Sequence, residues 1–129
     1  MESTNIDATF NRPEGNRNID SPVLLVNTRD LIKQLMDENA WQENDRNAIT
    51  IFKTDKMRIV LVALHKDAKT TTDRPENIFS LQVLKGKVKV TTDFSSTEVE
   101  KEMVLALHEQ IPYSIKALKK SIFLLTIVD

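Results

Sequence analysis

Few side chains in this sequence could carry chemistry, and their types narrow the options at once. There is no cysteine, which removes disulfides, thiol nucleophiles and zinc–thiolate sites. Two histidines, His65 and His108, are too few for a histidine-rich metal centre. His65 ends the apolar run IVLVAL at a turn, and His108 opens the turn HEQIP, so both are expected to be solvated strand-end residues. No nucleophile elbow, phosphate-cradling glycine loop or triad spacing occurs along the chain.

The elements that would position a site are mostly short strands. From residue 47 the pattern has period two: NAITIFKT alternates, Thr54-Asp55-Lys56 turns, and MRIVLVALH returns as a longer, more buried strand. KTTTDRPEN is polar and carries Pro75, so it reads as a loop or an edge strand. IFSLQVLKG and KVKVTTDF flank Gly86, which predicts a hairpin whose glycine supplies a positive φ. FSST turns, TEVEKEMVLALH supplies the next strand pair, EQIP turns again before YSIKAL, and IFLLTIV is the final strand. About eight short strands with regular turn signals predict a sandwich or barrel.

Ahead of the strands lies a different kind of segment. Val23-Leu24-Leu25-Val26 is four apolar residues in a row and predicts a short strand. Asn27 or Thr28 can cap a helix over residues 29–38, with Asp30 at capping-box spacing from Asn27. Leu31, Ile32, Leu35 and Met36 recur on one face of that helix, which is expected to end near Asn39 in a left-handed cap. Trp41 then reads as a packing anchor whose indole N–H bonds to backbone. Residues 1–20 are polar, with Pro13 and Gly15, and are expected to be a mobile arm or to order only on a partner.

A chain of 129 residues has room for one domain of ordinary size. Apolar residues make up 40% and charged residues 29%, which fits a soluble globular protein. The formal net charge of −1 supplies no basic excess for phosphate-backbone binding, so nucleic acid is not an expected partner. No run approaches the roughly 20 apolar residues of a membrane span. The first residues lack a cationic region and an apolar core, so a secretory signal is not expected there, and a cytoplasmic location is.

Residues 47–128 resemble the small single-domain cupins, an RmlC-like jelly-roll family. The stretches that carry the likeness are ITIFKTDKMRIVLVALHKDA, SLQVLKGKV, VLALHEQIPYSIKAL and FLLTI, in the family's order and spacing. The lead-in, including DRNAIT and the helix before it, is similar to an unannotated bacterial subgroup. The resemblance implies a mainly β, cupin-type jelly-roll barrel with one N-terminal amphipathic helix. It also implies a single domain over 21–129, with strand and helix in 22–39, the barrel in 47–128 and the polar arm in front.

In metal-binding cupins the first motif supplies an HxH pair and then a glutamate seven positions before the glycine, and the second supplies a histidine straight after proline. By that correspondence the ligand positions here are Asp73, Pro75, Phe79 and Tyr113. Proline and phenylalanine offer no donor. A tyrosine with its ordinary pKa of about 10 is a poor ligand for a divalent ion near neutral pH. The expectation is therefore no metal, no cofactor and no catalytic residue.

Strand alternation puts Phe79, Leu81 and Val83 on one face. With Asp73 and Tyr113 as polar groups, these five are the candidate ligand-binding residues of the lumen. The expected function is a non-metal small-ligand-binding or interaction module, cytoplasmic and homodimeric. The alternative is a metal-independent isomerase or lyase acting on a sugar or keto acid, with Asp73 and Tyr113 as its acid/base pair.

Overall fold

The computed structural model describes residues 20–72 and 77–128. Helix α1 (Thr28–Asp37) and the single-turn α2 (Asn39–Glu43) precede nine strands. In chain order these are β1 (Arg46–Lys53), β2 (Met57–Leu64), β3 (Lys69–Thr72), β4 (Ile78–Lys85), β5 (Lys87–Thr92), β6 (Ser96–Glu100), β7 (Val104–Leu107), β8 (Tyr113–Ala117) and β9 (Ser121–Val128). They form two antiparallel sheets, β1-β2-β9-β4-β7 and β3-β8-β5-β6. The protein is mainly β, a jelly roll of two facing sheets with an amphipathic helix ahead of it.

The five-stranded sheet is the middle of three layers, and this accounts for its composition. One of its faces meets the smaller sheet through Val60, Val62, Phe79, Leu81, Val83, Phe123 and Leu125, which pack with Val88, Val90, Tyr113 and Ile115. The other face carries Ile49, Ile51, Leu61, Ala63 and Ile122 against Leu35 and Trp41 of the helices. Strands covered on both faces read as unbroken apolar runs, as IVLVAL and IFLLTI do here. β4 and β5, covered on one face for most of their length, alternate cleanly.

Helix α1 starts where Asn27 caps it: its Oδ1 accepts from the backbone N–H groups of Arg29 and Asp30 at 2.9 and 3.3 Å. Its end differs from expectation. The C-cap is Glu38 in extended conformation (φ −80°), and Asn39 begins α2 rather than a left-handed stop. Asn47 explains the tight connection. Buried at the start of β1, it donates through Nδ2 to the Leu35 carbonyl (3.1 Å) and to Glu38 Oε1 (2.9 Å), while its Oδ1 accepts from Ala48 N–H (2.9 Å). One amide thus ties the last turn of the helix to the sheet.

Three other expectations are corrected. Val23-Leu24-Leu25-Val26 forms no strand. Leu24 and Val26 dock on the helix-side core, whereas Val23 and Leu25 point away and are 85% and 93% exposed. Gly86 does not turn a hairpin, because β4 and β5 lie in different sheets; it is the corner at which the chain crosses over. Its φ is +87°, and a Cβ there would collide with the Lys120 carbonyl oxygen and the Ser121 side chain. Ser121 seals this corner, its hydroxyl accepting from Lys87 N–H at 3.0 Å. Likewise β6 and β7 are not a pair: the chain changes sheets between them, with Glu102 at φ +72°.

The remaining turns behave as read. Thr54 accepts from Lys56 and Met57 N–H to close β1–β2, and Thr92 does the same for Phe94 and Ser95 between β5 and β6.

Candidate functional site

Phe79 is the second residue of β4, and its burial pattern sends Phe79, Leu81 and Val83 inward while Gln82 is exposed and Ser80 is half-buried. Tyr113 is the first residue of β8, fixed in register opposite Thr72 of β3 and Thr92 of β5. Both aromatic side chains are inside, 3% and 4% exposed. Their rings meet edge to face, with centroids 4.6 Å apart and planes at 87°. Because β4 belongs to the larger sheet and β8 to the smaller, this contact bridges the two layers. Leu107 of β7 and Ile127 of β9 stand directly opposite Phe79 on its two neighbouring strands. An edge-to-face pair contributes about 0.5–1.5 kcal/mol beyond the area it buries.

Of the five candidate residues, the structure therefore brings Phe79, Leu81, Val83 and Tyr113 together in one interior. Asp73 and Pro75 lie outside the described residues. Two of the positions at which the resemblance calls for a glutamate and a histidine meet as an aromatic pair. Phe79 has nothing to donate to a metal, and the Tyr113 phenol is packed against it. Among the described residues no group of three His, Cys, Asp or Glu side chains is placed to hold a metal ion. Of the positions that the resemblance assigns to metal ligands, the two among the described residues, Phe79 and Tyr113, do not fit such a centre. Thr72, 2% exposed beside Tyr113, has a buried hydroxyl without a hydrogen-bond partner among the described residues.

The histidines divide. His108 is exposed, 3.6 Å from Glu109, as expected of a strand-end residue. His65 is not solvated as expected. Its ring stacks on Trp41 with centroids 3.5 Å apart and planes at 12°, and its Nε2 lies 2.9 Å from the Trp41 carbonyl oxygen. A carbonyl only accepts, so Nε2 carries the proton. Trp41 is an anchor, and the partner that holds it is this imidazole, which sequence spacing of 24 residues did not reveal. Next to them, the Arg46 guanidinium bonds both oxygens of Asp45 (2.9 and 3.3 Å) and holds its carboxyl below the usual 3.8. Arg46 also donates to the Lys69 carbonyl at 2.7 Å.

No family model matches the chain, and no curated protein matches it. Solved structures do. Salicylate 1,2-dioxygenase from Pseudoaminobacter salicylatoxidans aligns with 91% of this chain at 16% identity and a TM-score of 0.73. The chain spans 38% of that enzyme's length. A conserved protein of unknown function from Streptococcus pyogenes aligns over 88% of this chain and 92% of its own, at 19% identity and a TM-score of 0.65. The Cupin_2 domain of an XRE family transcriptional regulator from Enterobacter cloacae aligns over 67% and 98%, at 13% identity and a TM-score of 0.61. At these identities the likeness is one of fold. The chain has the cupin fold.

Proposed function

We propose that this chain is a cupin-fold binding module that works without a metal ion, a cytoplasmic homodimer of the small bacterial cupin kind. The fold does not choose between catalysis and binding, because its neighbours include an enzyme and a domain of a transcriptional regulator and one fold hosts many functions. The observation that carries the reading is the Phe79–Tyr113 contact across the interior. It puts an apolar, edge-packed wall where a cupin enzyme needs converging donors. Such a wall suits a small apolar ligand held beside the tyrosine, or a filled core beneath an interaction surface.

Elemental analysis of the protein after purification without chelators tests this. Less than about 0.1 transition metal per chain is expected, since among the described residues no group of three donors is placed to hold the ion against water. About one iron, manganese, nickel or zinc per chain, bound with loss on Tyr113→Phe or Asp73→Asn, overturns the reading. A lyase or isomerase activity abolished by the same two substitutions in metal-free protein would establish the enzymatic alternative in its place.

A further inference from the structure

The outward face of the four-stranded sheet carries a pattern unrelated to the interior. Strand register lines up Thr71, Ser114, Thr91 and Ser96 in one row across β3, β8, β5 and β6. The next row on the same face is Lys69, Lys116, Lys89 and Glu98. All three lysines are exposed, and none makes an ion pair among the described residues. Glu98 is already engaged by Lys87 at 3.6 Å. Three ammonium groups therefore stand directly opposite one another on neighbouring strands, an arrangement that destabilises a sheet. In a chain whose formal net charge is −1, this is a local concentration of unneutralised positive charge.

The hydroxyl row borders a groove of about 250 Å³ whose walls include Lys69, Thr71, Thr91, Ser114 and the buried Thr72. Thr72 itself alternates to the inner face, opposite Tyr113, so the outward hydroxyls are those of Thr71, Ser114 and Thr91. Cations to attract an anion and hydroxyls to hydrogen-bond its oxygens are thus adjacent on one rigid surface.

We propose that this face binds a small, multiply charged, phosphate-bearing anion, with Lys69, Lys116 and Lys89 neutralising it and Thr71, Ser114 and Thr91 donating to its oxygens. The footprint argues for a small ligand. From β3 to β5 is two strand spacings, about 10 Å, and acidic side chains close it at either side: Asp93 at the groove, Glu98 and Glu100 on β6. A nucleic acid would need a longer basic track and stacking platforms, and neither row contains an aromatic residue.

Inorganic tripolyphosphate, titrated calorimetrically into the full chain at low ionic strength, is the test. Saturable binding that weakens with salt is expected, together with a rise in melting temperature. Lys116→Gln, at the centre of the row, should weaken binding by about tenfold or more, the loss of one charged hydrogen bond. It should also raise the melting temperature of the unliganded protein, because it removes the central like-charge contact. Lys101→Gln, on the turn between β6 and β7, should change neither. Absence of binding, or equal losses in Lys116→Gln and Lys101→Gln, overturns the proposal. So does preference for a single-stranded oligonucleotide, or for phosphatidylcholine vesicles containing phosphatidylserine, over tripolyphosphate.

Discussion

Phe79 decides more than any other single residue. It sits where the cupin resemblance calls for a glutamate and is packed against Tyr113, so introducing a glutamate tests whether the interior is closed. A carboxylate buried there has its pKa raised by desolvation. Its neutral form is tolerated below the unfolded value of about 4.3, and the cost grows as pH rises above that value because only the unfolded state ionises freely. Phe79→Glu should therefore be far less stable at pH 8 than at pH 5, by more than about 2 kcal/mol in urea titrations. Phe79→Ala should lose about 3–5 kcal/mol at either pH. A Phe79→Glu variant equally stable at both would mean that water reaches the side chain and that the interior is an open pocket. That Phe79, Leu81 and Val83 share one face was legible from period two; that this face is the inner one rested on the resemblance, and the burial of the strand agrees with it. That Tyr113 lands on Phe79 was not legible, because it depends on which strands end up in which sheet.

Among the elements, the pattern explains both what the sequence discloses and what it hides. The cap at Asn27 and the apolar face of α1 are local, and they reported the helix to within a residue or two. Gly86 announced a corner correctly, but a glycine records the φ its position needs and not the sheet its strands join. The same blindness applies to β6 and β7, whose turn signal looks like that of a hairpin. The Trp41–His65 stack and the Asn47 clamp are long-range, and nothing in their spacing advertises them. Asn47 has one faint signal, a polar side chain at the threshold of a buried strand, where an unpaired amide would be costly. Asn47→Ala should remove the amide's hydrogen bonds to the Leu35 carbonyl and to Glu38 and cost about 2–3 kcal/mol. Amide exchange should locate the damage: α1 and α2 lose protection while β4, β5, β8 and β9 keep theirs. Uniform loss across the sheets would show that the helices are integral to the fold rather than clamped onto it.

For the molecule as a whole, the open question is what covers its exposed apolar surface. The helices shield only part of the outward face of the larger sheet. On the same face Ile78 pairs with Val128 and Gln82 with Val104, and the three apolar members are 44%, 38% and 63% exposed. The arm before α1 adds Val23 and Leu25, nearly bare although Leu24 and Val26 between them are docked. Alternate docking of that kind leaves an extended segment with one apolar edge free, and the sheets end in the edge strands β1, β7, β3 and β6. Exposed sheet edges are normally paired or covered, and apolar patches of this sort mark association sites. In the proposed homodimer a second copy would satisfy both needs reciprocally, each arm meeting the other protomer, in the closed two-fold arrangement that most oligomers use. A stable pair needs about 1,000 Å² buried in total. Multi-angle light scattering at micromolar concentration should therefore give twice the chain mass of 14.8 kDa. Leu25→Glu combined with Val23→Glu should return the monomer mass while leaving circular dichroism and melting of the β core intact, because neither side chain contributes to it. A wild-type monomer would refute the dimer. A dimer unchanged by the double substitution would move the interface off the arm and onto the sheet face around Ile78 and Val104, where Val104→Glu should then dissociate it.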